Sequence, residues 1–471
     1  MDAATLRDDF GEQHFGAADL GDERRRRRLV RLANQIARHP EGTLPDKLRD
    51  PAGYQAMYRL CKHPRVTHAA VLEPHYRRTR ARMREHPRLL LVLHDTTELD
   101  YTGKTSLADQ LGPIGDGGGR GYECHNSLAV DPAAGEVLGL ANQILHHRAE
   151  PPRGETPAQR REREDRESRL WVRGSAAVGA PPPGRRWVDV ADRGADTFEF
   201  LAHEEGAHKS YVIRSKHNRS VWLAAPPDRT AAPAGLLHDH LRGLPGHGRR
   251  SVAVAASEGR PARTAEVRVA WAAVWLKPPQ VRKGDYEPRP LAVWALRVWE
   301  AAPPAGVEAL EWLLLTNVPV ADAAGAWERV GWYEWRPLIE EYHKAQKTGC
   351  GIENPQFTRA ERLEPMIALL SVVALLLLNL RGAAQDEASA ERPAAEVVPP
   401  LWVEVLSVWR HHRPRPDLTV REFFWDLARL GGHQNRRTDR PPGWLILWRG
   451  WNHMQNMIDY TLALRESARS D

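Results

Sequence analysis

The sequence predicts a mixed α/β protein with helical ends, and three patterns lead to this fold class. Apolar residues recur at helical spacing from residue 1 to about 70, and again over most of the chain beyond residue 320. Between residues 88 and 217, short apolar runs alternate with helical segments, which is typical of a mixed sheet covered by helices. Between about 218 and 305 the helical period gives way to alternating runs separated by Pro- and Gly-rich turns, which indicates an inserted β region.

The length of 471 residues corresponds to about three domains of roughly 150 residues each. We expect a helical N-terminal domain over residues 1–70 and an α/β core over residues 71–380, interrupted by a β insertion at about 218–305. A helical C-terminal region would occupy residues 381–471, with a loop of biased composition around 383–400. A hydrophobic content of 42% and a charged content of 27% suit a globular chain and argue against overall disorder.

Cysteine and hydropathy patterns favour a soluble cytoplasmic protein. Cys61, Cys124 and Cys350 lie far apart and form no C-x-x-C pair, which excludes a disulfide scaffold and a zinc finger. The N-terminal stretch MDAATLRDDFGEQHF lacks the apolar core of a secretory signal. The longest apolar run, residues 366–380, is 15 residues long, whereas a bilayer needs about 20. We therefore expect a buried helix there and no membrane association.

The charge of the chain favours a polyanionic partner. The net charge is +6, and only nine of the 67 cationic residues are lysine, the others being arginine. Codon usage in a GC-rich genome accounts for such a bias, yet arginine also pairs bidentately with phosphates. One predicted helix carries the basic run Arg24, Arg25, Arg26, Arg27 and Arg28. This run is either a solvated helix face or a contact to a nucleic-acid backbone.

The expected elements of the core follow one another along the chain. LLLVLHDTTELDY is an apolar run ending in acids, as in a central strand, and CHNSLAVDPAAGEVLGLANQILHH predicts a hairpin that turns at residues 131–135. RREREDRESRLWVRGSAAV predicts a charged helix that becomes apolar. RWVDVADRGADTFEFLAH predicts a strand and a helix, while SYVIRSKH and EWLLLTNVPV predict further strands. The helical stretch AAGAWERVGWYEWRPLIEEYHKAQKTG ends at Gly349.

Three acids stand where a site would form. Asp95 and Asp192 each end a predicted buried strand, and Glu340 lies on the helix that follows the last strand. The carboxyl ends of strands are where α/β sheets build their sites. Carboxylates held together raise one another's pKa unless a cation neutralises them, and Mg²⁺ is the natural cation for oxygen ligands. Two such ions can support phosphoryl transfer.

The neighbours of the third acid form a spaced pattern. The pattern Y-x2-R-x3-E-x6-K is formed by Tyr333, Arg336, Glu340 and Lys347. With it the sequence resembles the DDE transposases of the bacterial insertion-sequence-four group, and within that group the hairpin-forming cut-and-paste enzymes. Matching segments run from LGDERRRRRLVRLA near the N-terminus to RLGGHQNRRTDRPPGWLILWRGW near the C-terminus, with LHDTTELDY, DVADRGAD, VIRSKH and EWLLLT between them.

The resemblance implies a fold and roles for individual residues. It implies a ribonuclease-H-like catalytic core with an inserted β domain, a DNA-binding N-terminal domain and a helical C-terminal dimerisation region. The catalytic, metal-binding triad would be Asp95, Asp192 and Glu340, holding two Mg²⁺ ions that Mn²⁺ could replace. DNA contacts implied in the core are Tyr333, Arg336, Lys347, Arg214, Lys216 and Lys344, with Trp312 stacking a flipped base. Those implied in the N-terminal domain are Arg24, Arg25, Arg26, Arg27, Arg28, Tyr58 and Arg59.

Three positions near the motifs need an interpretation of their own. Pro337 falls between Arg336 and Glu340, so we expect the helix to begin there, because proline suits the first turn. Gln346 stands where the resemblance leads us to expect an aromatic residue. Asp196 is interpreted as an acid at a helix N-terminus rather than as a metal ligand.

The function that the resemblance implies is cut-and-paste DNA transposition. A cytoplasmic homodimer would bring two double-stranded transposon ends together, nick them, form and open a hairpin at each end, and join the ends to target DNA. Two alternatives stay open: a non-catalytic DNA-binding regulator descended from a transposase, and a nonspecific nuclease of the same fold. Metal-dependent nicking would exclude the first alternative, and cleavage confined to defined ends would exclude the second.

Overall fold

The computed structural model describes residues 10–87, 89–150, 152, 154–226, 228, 230–254, 263–280, 286–385, 390–436 and 442–470. Residues 1–9 lie outside these ranges, and they include most of the N-terminal stretch in which no secretory signal is expected. Residues 386–389 of the expected loop also lie outside them. The described chain has a mixed α/β fold in which helices flank a large mixed sheet. The predicted fold class is confirmed to that extent.

Helices form the described N-terminal region, as its apolar spacing predicts. They are α1 (Phe10–Phe15), α2 (Glu23–Arg38), α3 (Leu44–Leu48), α4 (Pro51–Cys61) and α5 (His68–Glu85). Asp22, Asp50 and Thr67 cap the starts of α2, α4 and α5, because each side chain accepts backbone N–H groups of the first turn. The apolar face of α2 is buried, and its basic face is turned outward.

The strands pair into one sheet. They are β1 (Leu90–Asp100), β2 (Gly112–Ile114), β3 (Gly119–Asp131), β4 (Glu136–His146), β5 (Trp187–Ala191), β6 (Ser210–Arg214), β7 (Ser220–Trp222), β8 (Gly235–Leu236), β9 (His247–Val254), β10 (Arg263–Leu276), β11 (Leu291–Glu300) and β12 (Glu311–Thr316). Their order is β2-β3-β1-β5-β6-β12-β11-β10-β7-β8, with β4 paired to β3 and β9 paired to β10.

β1 lies in the middle of the core strands. It pairs antiparallel with β3 and parallel with β5, and β5 pairs parallel with β6. Asp131 lies opposite Glu136 across β3 and β4, which confirms the predicted hairpin turn. Parallel neighbours need crossover connections, and helices supply them. These are α6 (Pro157–Glu162) and α7 (Arg169–Val178) before β5, where a single helix was predicted, and α8 (Phe198–Gly206) before β6.

The strands of the expected β insertion continue the same sheet rather than forming a sheet of their own. β12 pairs antiparallel with β6, with Leu314 opposite Arg214, and β11 and β10 follow in antiparallel order. The short helix α9 (Leu237–Arg242) packs against β10 and β11. The region of residues 218–305 therefore extends the sheet beyond β6.

Helices follow the last strand. They are α10 (Ala323–Tyr333), α11 (Pro337–Lys344), α12 (Ala360–Val373), α13 (Leu375–Gln385), α14 (Pro400–His411), α15 (Val420–Leu430) and α16 (Trp444–Ser470). The segment Ala360–Leu380 is long and apolar enough to cross a membrane, but 94% of its most apolar window is buried inside the protein. It therefore forms the buried helical segment that its composition predicts.

α16 connects the N-terminal helices with α11. The indole N–H of Trp451 lies 3.3 Å from the carbonyl oxygen of Ala37, near the end of α2. At the other end of this contact surface, Trp444 donates to the carboxylate of Glu341 on α11 at 2.6 Å. One long helix thus contacts both the N-terminal region and the helix that carries Glu340.

Candidate active site

The pairing of β1 with β5 brings two of the predicted acids together. The last pair in this parallel register is His94 with Ala191, so Asp95 and Asp192 are the next residues on neighbouring strands. Asp95 does not end its strand, contrary to the prediction, because β1 continues antiparallel to β3 as far as Asp100. Asp192 does follow the last residue of β5.

α11 supplies the third acid. Pro337 is the first residue of the helix, as predicted, and Glu340 lies in its first turn. The helix packs against β1. Arg336 immediately precedes the helix and lies one turn from Glu340, so that both side chains reach the sheet edge that carries the two aspartates.

Arg336 contacts all three carboxylates. Its Nη2 atom lies 2.9 Å from Asp95 Oδ2 and 3.6 Å from Asp192 Oδ2. Its Nη1 atom donates a hydrogen bond to Glu340 Oε1. Three acids that are distant in the sequence therefore converge on one guanidinium, so that a single cationic side chain faces three carboxyl groups.

Exposure and pKa differ across this acidic cluster. The exposed fraction of the side chain falls from 46% for Glu340 and 34% for Asp192 to 12% for Asp95, so the cluster opens to solvent on the Glu340 side. Burial raises the pKa of Asp95 to about 7, Arg336 opposes the rise, and Asp192 adds to it. The pKa of Arg336 is raised overall. Burial alone would lower this pKa, but the negative charges of the three carboxylates have the larger effect.

The donor set has the chemistry of a site for a hard divalent cation. Carboxylate oxygens are the ligands that Mg²⁺ prefers. Within the part of the chain that the structure describes, no three His, Cys, Asp or Glu side chains are arranged to hold an ion. The guanidinium of Arg336 lies between the carboxylates that would have to do so.

An aromatic and cationic surface adjoins the acids. The rings of Trp312 and Tyr333 meet edge to face with centroids 5.7 Å apart, and Trp312 is half-buried on β12. Arg214, the last residue of β6, interacts with Tyr333. Burial, with repulsion from Arg193, lowers the pKa of Arg214. Sequence reasoning missed Arg193, although it directly follows the second acid.

A buried polar row lies behind Asp95. Asn126 is opposite Asp95 in the β1–β3 register, and its amide nitrogen is 3.1 Å from His343 Nε2. The other ring nitrogen of His343 is 3.9 Å from Asp95 Oδ2, and burial lowers the pKa of this imidazole to about 3. Gln143 donates to Asn126 and to Ser371. Only the strand register, which the sequence does not state, could have identified this row.

The opposite face of the same strands carries a buried ion pair. Lys209 Nζ lies 2.7 Å from Asp189 Oδ2, and His94 Nε2 lies 3.3 Å from the same oxygen. All three side chains are buried. Because side chains alternate along a strand, His94 faces away from Asp95. The ion pair therefore ties β1, β5 and the start of β6 together beneath the acids.

The predicted lysines lie at the edge of the site. Lys347, on the π-helical turn Ala345–Gly349, is 3.6 Å from Glu353. Lys344 is exposed and pairs with Glu341 at 2.8 Å. Neither ammonium group forms an ion pair with the three acids among the described contacts.

Asp196 anchors the loop that carries Lys216. Its buried carboxylate accepts the backbone N–H groups of Lys216 and His217 and pairs with Arg219. Thr197, not Asp196, caps α8. Asp196 therefore lies next to the start of α8, as interpreted, but its carboxylate holds the loop after β6 and does not cap the helix. Lys216 itself is exposed.

Three of the five arginines in the basic run of α2 have partners within the N-terminal region. Arg26 and Arg27 form ion pairs with Glu23 at 2.5 and 2.8 Å. Arg25 donates from Nε to the carbonyl oxygen of Leu20 at 2.8 Å. These contacts stabilise the start of α2 and leave less of this positive charge for a ligand.

Two further arginines of the run form an exposed stripe with a third. Arg24, Arg28 and Arg31 follow one another at intervals of four and three residues, which places them on one face of α2. All three are exposed, and their side chains form no ion pair or hydrogen bond with the described residues. We call these residues the α2 arginine stripe. Such a stripe is suited to contact successive phosphates of a nucleic acid.

Tyr58 and Arg59 differ in their availability. The hydroxyl of Tyr58 donates to the carbonyl oxygen of Gln356 at 2.7 Å, and its ring contacts Phe357, so it joins α4 to the segment before α12. Arg59 is exposed and donates to the carbonyl of Gln55 in its own helix. Neither side chain contacts the acidic cluster in the described structure.

The N-terminal region matches a known protein family. Residues 7–66 match the family of transposase DNA-binding domains. The matched segment contains α1 to α4 and therefore includes the α2 arginine stripe. This match supports a transposase that binds DNA, and it does not depend on the acids of the sheet.

Proposed function

We propose that the protein is a DDE transposase of the insertion-sequence-four group that performs cut-and-paste transposition of DNA. The convergence of Asp95, Asp192 and Glu340 at one guanidinium carries this proposal. The match of residues 7–66 to a transposase DNA-binding domain supports it independently. The strand order β4-β3-β1-β5-β6, in which three antiparallel strands are followed by two parallel ones, supports a ribonuclease-H-like core.

The three acids would hold two Mg²⁺ ions, for which Mn²⁺ could substitute. Bound there, the ions would activate a hydroxyl group and stabilise a leaving oxygen in phosphoryl transfer. Asp95, Asp192 and Glu340 would contribute negative oxygens on a rigid frame, because β1, β5 and α11 are packed together. The exposed Glu340 side of the cluster would admit the phosphate that is cleaved.

The neighbouring surface would bind the DNA end. Arg193 and Arg214 would bind phosphates beside the acids, because a guanidinium matches phosphate oxygens bidentately. Tyr333 would donate to the same backbone, and Lys216, Lys344 and Lys347 would extend the contact. Trp312 would stack on a base that leaves the double helix, which offsets part of the unstacking energy.

The reaction would consist of four in-line displacements at one site. Water nicks the transposon end, the freed 3′-hydroxyl attacks the opposite strand to form a hairpin, a second water opens the hairpin, and the hydroxyl joins target DNA. The α2 arginine stripe would grip the end during these steps. Two copies of the chain in the cytoplasm would pair two ends, and the helices after residue 381 would join the copies.

A non-catalytic DNA-binding regulator is the second candidate. The position of Arg336 between the carboxylates favours it, because a permanent guanidinium there would exclude a cation. A regulator would retain the α2 arginine stripe and bind DNA, but it would not cleave it.

A cleavage assay on natural ends tests the proposal. Purified protein and Mg²⁺ are incubated with labelled DNA that carries the inverted repeats flanking its gene. We expect nicks at the outer edges of the repeats, followed by hairpins on a denaturing gel. Equal cleavage of DNA without repeats would identify a nonspecific nuclease. Binding without cleavage in either Mg²⁺ or Mn²⁺ would identify a regulator.

A further inference from the structure

Arg336 lies between the acidic cluster and the aromatic and cationic surface beside it. On one side its Nη1 and Nη2 atoms contact Glu340, Asp95 and Asp192. On the other side, the backbone N–H of Arg336 donates to the carbonyl oxygen of Tyr333 at 2.9 Å. The side chain of Tyr333 in turn forms a hydrogen bond with Arg214. The guanidinium is therefore at the boundary between an anionic cluster and a surface suited to phosphate.

The hydrogen bonds of Arg336 are incomplete in this position. Its Nε atom is buried and has no hydrogen-bond partner among the described atoms. A buried N–H group without an acceptor is unfavourable, and a phosphate oxygen could accept from it. The carboxylates also lose little by releasing the guanidinium if a divalent cation replaces it, because the cation would satisfy the same oxygen atoms.

We propose that Arg336 is an internal counter-ion that occupies the acidic cluster until a DNA phosphate draws its guanidinium toward Arg214 and Tyr333, which frees the carboxylates for a divalent cation. This inference rests on the proposed function and deepens it, because it makes cation binding depend on bound DNA. The backbone of Arg336 is fixed by the start of α11, so the change needs only rotation of a long side chain.

Competition for the same oxygens makes the coupling obligatory. The oxygen atoms that hold the guanidinium are those a divalent cation would need, so a cation must displace Arg336 or find it already displaced. A phosphate that binds Arg336 therefore strengthens cation binding. By thermodynamic linkage, the cation must strengthen phosphate binding by the same factor. In the absence of DNA the site would bind cations weakly.

Binding of Mn²⁺ tests the first half of this proposal without any cleavage assay. Free Mn²⁺ is titrated by electron paramagnetic resonance with wild-type protein and with Arg336→Gln. We expect the variant to bind Mn²⁺ more tightly by about 5- to 150-fold, the usual range of coupling between sites. Adding Asp95→Asn to Arg336→Gln should weaken binding again. Equal affinity of wild type and Arg336→Gln would overturn the proposal.

A matched control separates loss of this arginine from loss of any buried ion pair. Arg263 forms a two-pronged ion pair with Glu300 on β10 and β11, with little exposed surface. We expect Arg263→Gln to leave the Mn²⁺ affinity at the wild-type value. A gain in Mn²⁺ affinity as large as that of Arg336→Gln would show that the effect is nonspecific and would overturn the proposal.

Duplex DNA tests the second half. A short mixed-sequence duplex should raise the Mn²⁺ affinity of the wild type, after subtraction of Mn²⁺ bound by the DNA alone, and leave that of Arg336→Gln unchanged. Mn²⁺ should raise the DNA affinity of the wild type by the same factor. If DNA raises both Mn²⁺ affinities equally, or neither, the phosphate switch is wrong. The wild-type measurements decide the matter even if the variant does not fold.

Failure of the switch and failure of the proposed function give different results. If the wild type nicks transposon ends but has the same Mn²⁺ affinity as Arg336→Gln, the switch alone is wrong. If the wild type binds Mn²⁺ through these acids in the expected DNA-dependent manner but never nicks DNA, the switch stands and the proposed chemistry fails.

Discussion

At the scale of single residues, the proposed role of Trp312 belongs to hairpin formation and not to the first nick, so the two steps can be measured separately. We expect Trp312→Ala to leave the first nick nearly unchanged and to slow hairpin formation by an order of magnitude or more. Stacking on one base contributes about 1–3 kcal/mol, which corresponds to roughly 5- to 150-fold in rate if it acts mainly in that step. Time courses of nicked and hairpin products on a denaturing gel measure both rates.

Trp312→Phe is the control for this substitution, because it keeps an aromatic face beside Tyr333. It should form hairpins faster than Trp312→Ala. Equal slowing of nicking and hairpin formation in Trp312→Ala would instead mean that the indole mainly packs β12 against α10.

Glu204 gives a prediction about stability and pH. Burial raises the pKa of Glu204 from its ordinary 4.5 to about 8, and Ser175 donates a hydrogen bond to its carboxyl group. The folded state therefore holds a proton that the unfolded chain releases, so the free energy of unfolding falls as pH rises from about 4.5 to 8. Glu204→Gln stays neutral and should be more stable than the wild type at pH 9, as measured by urea unfolding.

The pH profile supplies the check on Glu204. The stability advantage of Glu204→Gln should shrink as the pH is lowered toward 5. Glu361→Gln, at an exposed position, should reproduce the wild-type profile. An advantage that is the same at pH 5 and pH 9 would show that packing, not protonation, causes it.

The convergence of the three acids could be predicted from the sequence, but their surroundings could not. Asp95, Asp192 and Glu340 stand out by motif and spacing. The buried neighbours Asn126 and His343 become visible only through strand register and helix packing. Gln346 replaces an expected aromatic residue, and the structure gives it buried hydrogen-bond partners instead, the hydroxyl groups of Tyr342 and Ser371.

At the scale of elements, the α2 arginine stripe gives a prediction about DNA binding. Replacement of Arg24, Arg28 and Arg31 together by Gln should weaken DNA binding and reduce the slope of log K against log salt by about 2.7, at roughly 0.9 per phosphate contact. The reason is that DNA releases fewer counterions on binding a protein that contacts fewer of its phosphates. Fluorescence anisotropy at several salt concentrations measures the slope.

Arg26→Gln is the control within the same helix. Arg26 pairs with Glu23, so its loss should affect the stability of α2 more than the salt slope. If the triple substitution leaves the slope unchanged, the stripe is a solvated face and does not contact phosphates. If Arg26→Gln lowers the slope as much as a stripe residue does, the division into paired and exposed arginines is wrong.

The contact between α16 and the turn after α11 gives a prediction about stability. A Cβ atom at Gly349 would overlap the indole of Trp448, which is completely buried. Gly349→Ala should therefore destabilise the protein by about 1–3 kcal/mol, the usual effect of overpacking. Gly331→Ala is the matched control, because nothing lies near its added methyl group in α10, and it should stabilise by about 0.4–1 kcal/mol. Urea unfolding distinguishes the two, and equal effects would contradict the packing argument.

Local patterns predicted most element types, and they failed where tertiary pairing decides. The hairpin at residues 131–135 and the helix start at Pro337 follow from turn and proline chemistry, and both are confirmed. The end of β1 could not be predicted, because Asp95 and the polar residues after it pair with β3 although they look like a loop. The charged helix predicted over residues 160–178 is divided between α6 and α7, which its composition does not indicate.

At the scale of the whole molecule, long-range pairing joins parts that look separate in the sequence. β12 pairs with β6 across the entire insertion, so the inserted strands extend the core sheet. α16 contacts both the end of α2 and Glu341 on α11. Neither connection has a sequence signal, because partner strands and packed helices far apart in the chain carry no shared motif.

The proposed function requires Asp95, Asp192 and Glu340 to act together in metal-dependent cleavage of DNA. The most direct test is Mg²⁺-dependent nicking of transposon-end DNA by Asp95→Asn, Asp192→Asn and Glu340→Gln, with end binding measured in parallel. Glu341→Gln, next to the third acid but directed toward Lys344 and Trp444, is the control. We predict that the three variants bind ends but do not nick them, while Glu341→Gln does both. Nicking by any of the three at a rate near that of the wild type would contradict the claim.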